Sequence, residues 1–184
     1  GITGVTMGLT GEAAVNPEIP AISLPFTMCH ELSHRRCIAL ERDANFGAYL
    51  ACRANDSIQF QYSGYFMAYR YCYNALVSAG GSVQAQAISS GETAELTRDL
   101  ADYRTFFTQK QSAKATKVAD KVNDTYIKAS GDSSGVASYG EVCDLLVNLY
   151  LEEEVKPNMV EPDPTFDPLD KSQVDLGDLV GDWG

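Results

Sequence analysis

Ser23-Leu24-Pro25-Phe26-Thr27-Met28-Cys29-His30-Glu31-Leu32-Ser33-His34, running on through Arg35-Arg36-Cys37-Ile38-Ala39-Leu40 to Glu41, is the stretch on which the reading of this chain turns. Ser23 is suited to cap a helix, and Pro25 falls in the first turn, where a missing N–H is harmless. The helix so started carries His30-Glu31-Leu32-Ser33-His34, an H-E-x-x-H pattern. Residues four apart share one face of a helix, so both imidazoles can reach a single ion. Glu31 is turned about 100° from His30 and flanks that ion, where a carboxylate can take a proton from a bound water. The chain of 184 residues holds two histidines, and both lie in this motif.

A catalytic zinc takes three protein ligands and keeps a fourth position open. The nearest carboxylates beyond His34 are Glu41 and Asp43. If the helix ran on unbroken, Glu41 would lie roughly 10 Å along the axis, too far for a ligand bond of ~2 Å. The helix is therefore expected to end between Arg35 and Leu40 and the chain to fold back, although no Gly or Pro marks that turn. Glu41 is the expected third ligand, with Asp43 as the reserve. Asn45 follows Glu41 by one helical turn and is placed to hydrogen-bond a ligating histidine and fix its tautomer. For stabilising an oxyanion, Gln61-Tyr62-Ser63-Gly64-Tyr65 offers Tyr62 and Tyr65, with Gly64 allowing close backbone approach. Cys29 and Cys37 flank the motif and read as buried apolar thiols in preference to soft metal ligands.

The formal net charge is −11, with 25 acidic against 14 basic residues. That balance argues against nucleic acid and against docking on anionic lipid, both of which need a Lys/Arg surface. An apolar fraction of 45% is enough for a real core. Five cysteines, an odd number widely spaced, do not form a disulfide framework. No stretch approaches the ~20 apolar residues of a membrane span. A first residue of Gly1 in place of Met suggests a processed or truncated product.

Along the chain, a short strand or extended piece is expected around Ile2 to Leu9, followed by a loop. Helices are expected from Ser23, from about Leu40 to Ala54, and from Ile58 to Ser78, the last dense in aromatics. Residues 80–91 are small and polar and read as a linker. Helical character returns over 92–128 with a break near Ser112. Residues 130–135 form a Ser/Gly/Asp turn cluster, and a final helix spans about 138–155 with Val142, Leu145, Leu146 and Leu149 at helical spacing. The expected organisation is one domain over 1–155 and an acidic, proline-rich tail over 156–184, a segment long enough to fold across the cleft as a pro-segment does.

The joined motifs Leu24–His34 and Glu41-Arg42-Asp43-Ala44-Asn45-Phe46-Gly47-Ala48-Tyr49-Leu50 resemble a bacterial family known as domain of unknown function 3810. So do Thr10-Gly11-Glu12-Ala13, Tyr62-Ser63-Gly64-Tyr65, Val122-Asn123-Asp124-Thr125-Tyr126 and Gly135-Val136-Ala137-Ser138-Tyr139-Gly140. The resemblance covers about residues 4–151. It implies a mainly α, zincin-like domain, with a small extended N-terminal segment, carried by a protein anchored in a membrane through upstream helices. The Glu41-to-Asn45 spacing is similar to the Glu-x-x-x-Asp of other Glu-ligand zinc peptidases, which implies Glu41 as ligand and Asn45 as its support. The family tends to have Gly in place of Cys37 and Glu in place of Asp43. A Gly would explain the required turn, and Cys37 must make it at some steric cost.

The expected activity is that of a zinc-dependent metallopeptidase acting on a peptide or protein substrate. Its expected zinc ligands are His30, His34 and Glu41, with Glu31 as general base. The rival expectation is a non-catalytic, zinc-containing helical domain that binds or regulates a partner in a membrane-anchored protein.

Overall fold

The computed structural model describes residues 3–111 and 138–153. The expected helix through 112–128, the turn cluster at 130–135 and the acidic tail all fall outside those residues. The chain opens with an antiparallel hairpin, β1 (Gly4–Met7) and β2 (Glu12–Val15), in which Gly4 pairs with Val15 and Thr6 with Ala13. A single 3₁₀ turn, Ala21–Ser23, leads into α1 (Leu24–Arg35). There follow α2 (Glu41–Ala54), α3 (Ile58–Ser78), α4 (Ser82–Ser89), α5 (Ala94–Gln111) and α6 (Ser138–Glu153).

Pro25 sits in the first turn of α1 as expected, but the Ser23 hydroxyl turns back to donate to the Pro20 carbonyl and caps nothing. Thr27 and Ser33 donate to the carbonyls of Ser23 and Cys29, four residues back. Such bonds keep buried hydroxyls satisfied inside a helix. The apolar side of α1, through Phe26 and Cys29, packs into a core with Ala48, Tyr49 and Cys52 of α2, Phe60, Phe66, Met67 and Tyr71 of α3, and Val142 and Leu146 of α6. Ala44, Ala48 and Cys52 recur every four residues and are fully buried, the spacing of a helix stripe facing a core. Gly64 belongs to this packing: a Cβ there would sit 2.7 Å from the Cβ of Cys52, so α3 crosses α2 where neither side chain protrudes. The close backbone approach that Gly64 allows is thus used between helices.

Two elements depart from the sequence reading. The loop expected after Leu9 contains β2, whose Glu12-Ala13-Ala14 are all exposed, so it has no buried face to announce it. The linker expected over 80–91 contains α4, which buries only Ala85. Its Gln and Ala residues favour helix, and the flanking glycines and serines hid that signal.

The turn that Glu41 requires is present. Helix α1 stops at Arg35, and Cys37 adopts φ 67, the one non-glycine residue with positive φ among those described. The Cys37 N–H donates to the His34 carbonyl at 2.9 Å, and the Ile38 N–H to the Ser33 carbonyl at 3.2 Å. These are the two bonds of a Schellman motif, which satisfies the last carbonyls of a helix while reversing the chain. A side chain in this left-handed region costs about 1–2 kcal/mol, and a glycine there gives back about 0.5–1 kcal/mol in unfolded-state entropy. Cys37→Gly is therefore expected to stabilise the fold by about 0.5–1 kcal/mol, seen as a rise in thermal midpoint, whereas a fall would contradict a left-handed Cys37.

Candidate metal centre

Three donors converge at the point where α1 ends and α2 begins. The Nε2 atoms of His30 and His34 lie 3.0 Å apart. Glu41 places Oε2 3.3 Å from His30 Nε2 and Oε1 3.4 Å from His34 Nε2. Ligands around a tetrahedral ion with bonds of ~2.0–2.1 Å stand roughly 3.3 Å from one another, so this spacing is that of a coordination triangle. Among the described residues this is the one group of three His, Cys, Asp or Glu side chains close enough to hold a metal ion.

The protonation pattern follows from the neighbours. His34 Nδ1 lies 2.8 Å from the Ile38 carbonyl, which can only accept, so Nδ1 carries the hydrogen and Nε2 of the neutral ring presents a lone pair. Ile38 belongs to the same reversing turn, which therefore aims His34 as well as returning Glu41. The hydrogen bond with Glu41 raises the pKa of His34, burial opposes it, and the Ile38 carbonyl and the charges of Glu41 and Glu31 add to the rise. Burial alone would lift the Glu41 carboxyl, but the two histidines more than reverse that and bring it down to about 2. His30 Nδ1 is buried without a hydrogen-bond partner. The role expected for Asn45 is not the one seen: its Oδ1 accepts from the Tyr71 hydroxyl at 3.0 Å.

Glu31 is 5% exposed and lies against β1. The Thr6 hydroxyl is 2.8 Å from Glu31 Oε2 and 2.9 Å from the Glu31 carbonyl. Gly4 lies flat beside the same carboxylate. Neither residue was legible as part of the site, because they stand 25 and 27 positions before Glu31 and carry no recognisable spacing.

The remaining expected site residues lie elsewhere or face other partners. Asp43 pairs with Arg42 Nε at 3.1 Å, its side chain 41% exposed, so the reserve ligand is turned to its neighbour. The Tyr62 hydroxyl donates to Asp99 of α5 at 2.7 Å. Burial and that carboxylate push its pKa up. Tyr65 packs edge-on to Tyr49, whose hydroxyl lies 2.6 Å from that of Tyr150. Both tyrosines thus serve the α2–α3–α5–α6 packing and bring no hydroxyl to the histidines in this structure. Cys29 is buried, as expected, and Cys37 is exposed on its turn, contrary to the expectation of burial. Asp99 is fully buried and was not anticipated, since nothing in Arg98-Asp99-Leu100 distinguishes it from a surface charge.

A model of the family DUF3810, described as a protein of unknown function, matches residues 1–147. No curated protein matches the chain, and no solved structure does.

If the triangle is a metal centre, one equivalent of zinc will bind, and Glu41→Gln or His34→Ala will weaken binding about 100-fold or more, while Asp43→Asn will not. The metal and a proton compete for His34 Nε2, so affinity falls as pH is lowered through the raised His34 range, about tenfold per pH unit for one proton. A chelator-competition titration across pH checks both, and equal affinity for Glu41→Gln would remove Glu41 from the ligand set.

Proposed function

The chain belongs to the DUF3810 family, whose function is unknown, and from the site itself we propose that it is a zinc-dependent metallopeptidase. The observation that carries this reading is the convergence of His30, His34 and Glu41 on one point, with Glu31 next to His30 in the same H-E-x-x-H helix. Three protein donors of this chemistry suit a zinc site that keeps one position for water or substrate. Zinc held there would supply Lewis acidity, bringing the pKa of a bound water toward ~7.

The protein's own contribution is positional. His34 offers Nε2 because the Ile38 carbonyl holds its Nδ1 hydrogen. Glu41 would bring one negative charge to a bound cation, less than the ion's own charge. Glu31, one residue along the helix from His30, takes a proton from the attacking water and delivers it to the leaving amine nitrogen. In this reading the substrate is a peptide or protein. The domain is carried by a protein anchored in a membrane through helices outside this sequence, an idea that rests on the family resemblance alone. Among the described residues no helix is long and apolar enough to cross a membrane.

A second reading is favoured by one observation: Glu31 is nearly inaccessible and its carboxylate is already engaged by Thr6. A non-catalytic zinc domain that binds or regulates a partner would have this character. Glu31→Gln separates the two. Zinc-loaded wild type is expected to cleave members of a broad peptide library, and Glu31→Gln to lose about 10²–10⁴-fold in kcat/KM with zinc content unchanged. No cleavage by zinc-loaded wild type would favour the non-catalytic domain, and equal cleavage by both proteins would remove Glu31 as the general base.

A further inference from the structure

We infer that Gly4 and Thr6 of β1 form a cradle that positions the Glu31 carboxylate, making Thr6 a positioning residue for the general base. The inference rests on the reading of Glu31 as that base. Gly4 and Thr6 are two residues apart on a strand and so face the same side, toward α1. Val5 and Met7 face away and are largely exposed. Pairing of Gly4 with Val15 and Thr6 with Ala13 fixes the register that brings both onto Glu31.

Each carboxylate oxygen meets a different feature of the strand. Thr6 reaches Oε2 at 2.8 Å. Its single hydrogen is better used there than on the Glu31 carbonyl, because an ionised acceptor makes the stronger bond. Gly4 runs beside Oε1: a Cβ at position 4 would stand 2.4 Å from Oε1, 2.6 Å from Cγ and 2.8 Å from Cδ. Any larger residue would have to displace the carboxylate or lift the strand. The hydroxyl therefore holds Oε2 toward β1, and the bare glycine leaves room for Oε1. A glutamate on its own helix has three rotatable bonds, so a fixed carboxylate position needs contacts that select one rotamer. Proton transfer requires the carboxylate within hydrogen-bond reach of the water it serves, so holding that rotamer affects the rate directly.

The test compares zinc-loaded wild type, Thr6→Val, Thr6→Ser and Gly4→Ala. Crystal structures give the Glu31 rotamer, and kcat and KM are measured on a peptide the wild type cleaves. Thr6→Val keeps the shape and removes the donor. It is expected to turn the carboxylate away from β1 and to lower kcat about 10- to 100-fold, with KM and zinc content unchanged. Thr6→Ser is expected to restore both rotamer and rate, which a merely packing role for the γ-methyl would not do. Gly4→Ala is expected to displace the carboxylate by steric contact, and it decides the matter on the same readouts if Thr6→Val does not fold. A wild-type rotamer or wild-type kcat in Thr6→Val would overturn the inference. If wild type hydrolyses no peptide, the peptidase reading fails separately. The rotamer then decides: a displaced carboxylate in Thr6→Val upholds the cradle, and an unmoved one overturns it.

Discussion

The reversal at Arg36 to Leu40 is the constraint on which the rest of the site depends. Two histidines on one helix face offer only two ligands, and a straight helix would carry the next carboxylate out of range. By entering the left-handed region at Cys37, the chain satisfies the last carbonyls of α1 and brings Glu41 back to the histidines as the first residue of α2. The same turn presents the Ile38 carbonyl to His34 Nδ1. One backbone conformation thus returns the Glu41 carboxylate and orients the His34 ring, and it does so in a residue whose side chain disfavours it.

The electrostatics of the two helices run in the same direction. His34 lies in the last turn of α1, where the partial negative charge of the helix end favours a cation. Glu41 lies in the first turn of α2, where the partial positive charge favours a carboxylate. Two imidazole nitrogens 3.0 Å apart with a carboxylate against both create a demand for positive charge that a proton or a cation would meet. The raised His34 and depressed Glu41 pKa values express that demand when a proton meets it. A divalent ion meets it with more charge.

Much of this was legible in the residues, for identifiable reasons. The shared face of His30 and His34 and the place of Pro25 follow from helix geometry, whereas the preference for Glu41 over Asp43 rests on Asn45 one turn later and on the family resemblance. The turn itself was demanded by distance but not announced, because Cys37 occupies a conformation normally signalled by glycine. What escaped notice depends on contacts far apart in sequence or on faces with no pattern. Strand β2 buries almost nothing, α4 buries one alanine, and Thr6 meets Glu31 across 25 residues. The expectation for Asn45 rests on its helical spacing from Glu41, and that for the tyrosines on the adjoining Gly64; neither spacing says which distant residue the side chain meets. Tyr71 and Asp99, on helices that packing alone brings near, are the partners that engage Asn45 and Tyr62.

The central claim is that one metal ion sits among His30, His34 and Glu41 with a position left open. Anomalous diffraction from a crystal of the zinc-loaded protein, collected on both sides of the zinc edge, tests it most directly. The account predicts a single strong peak within ~2.0–2.2 Å of both Nε2 atoms and a Glu41 oxygen, with a fourth site not filled by protein. No peak at this triangle, or an ion closed off by a fourth protein ligand, would contradict it.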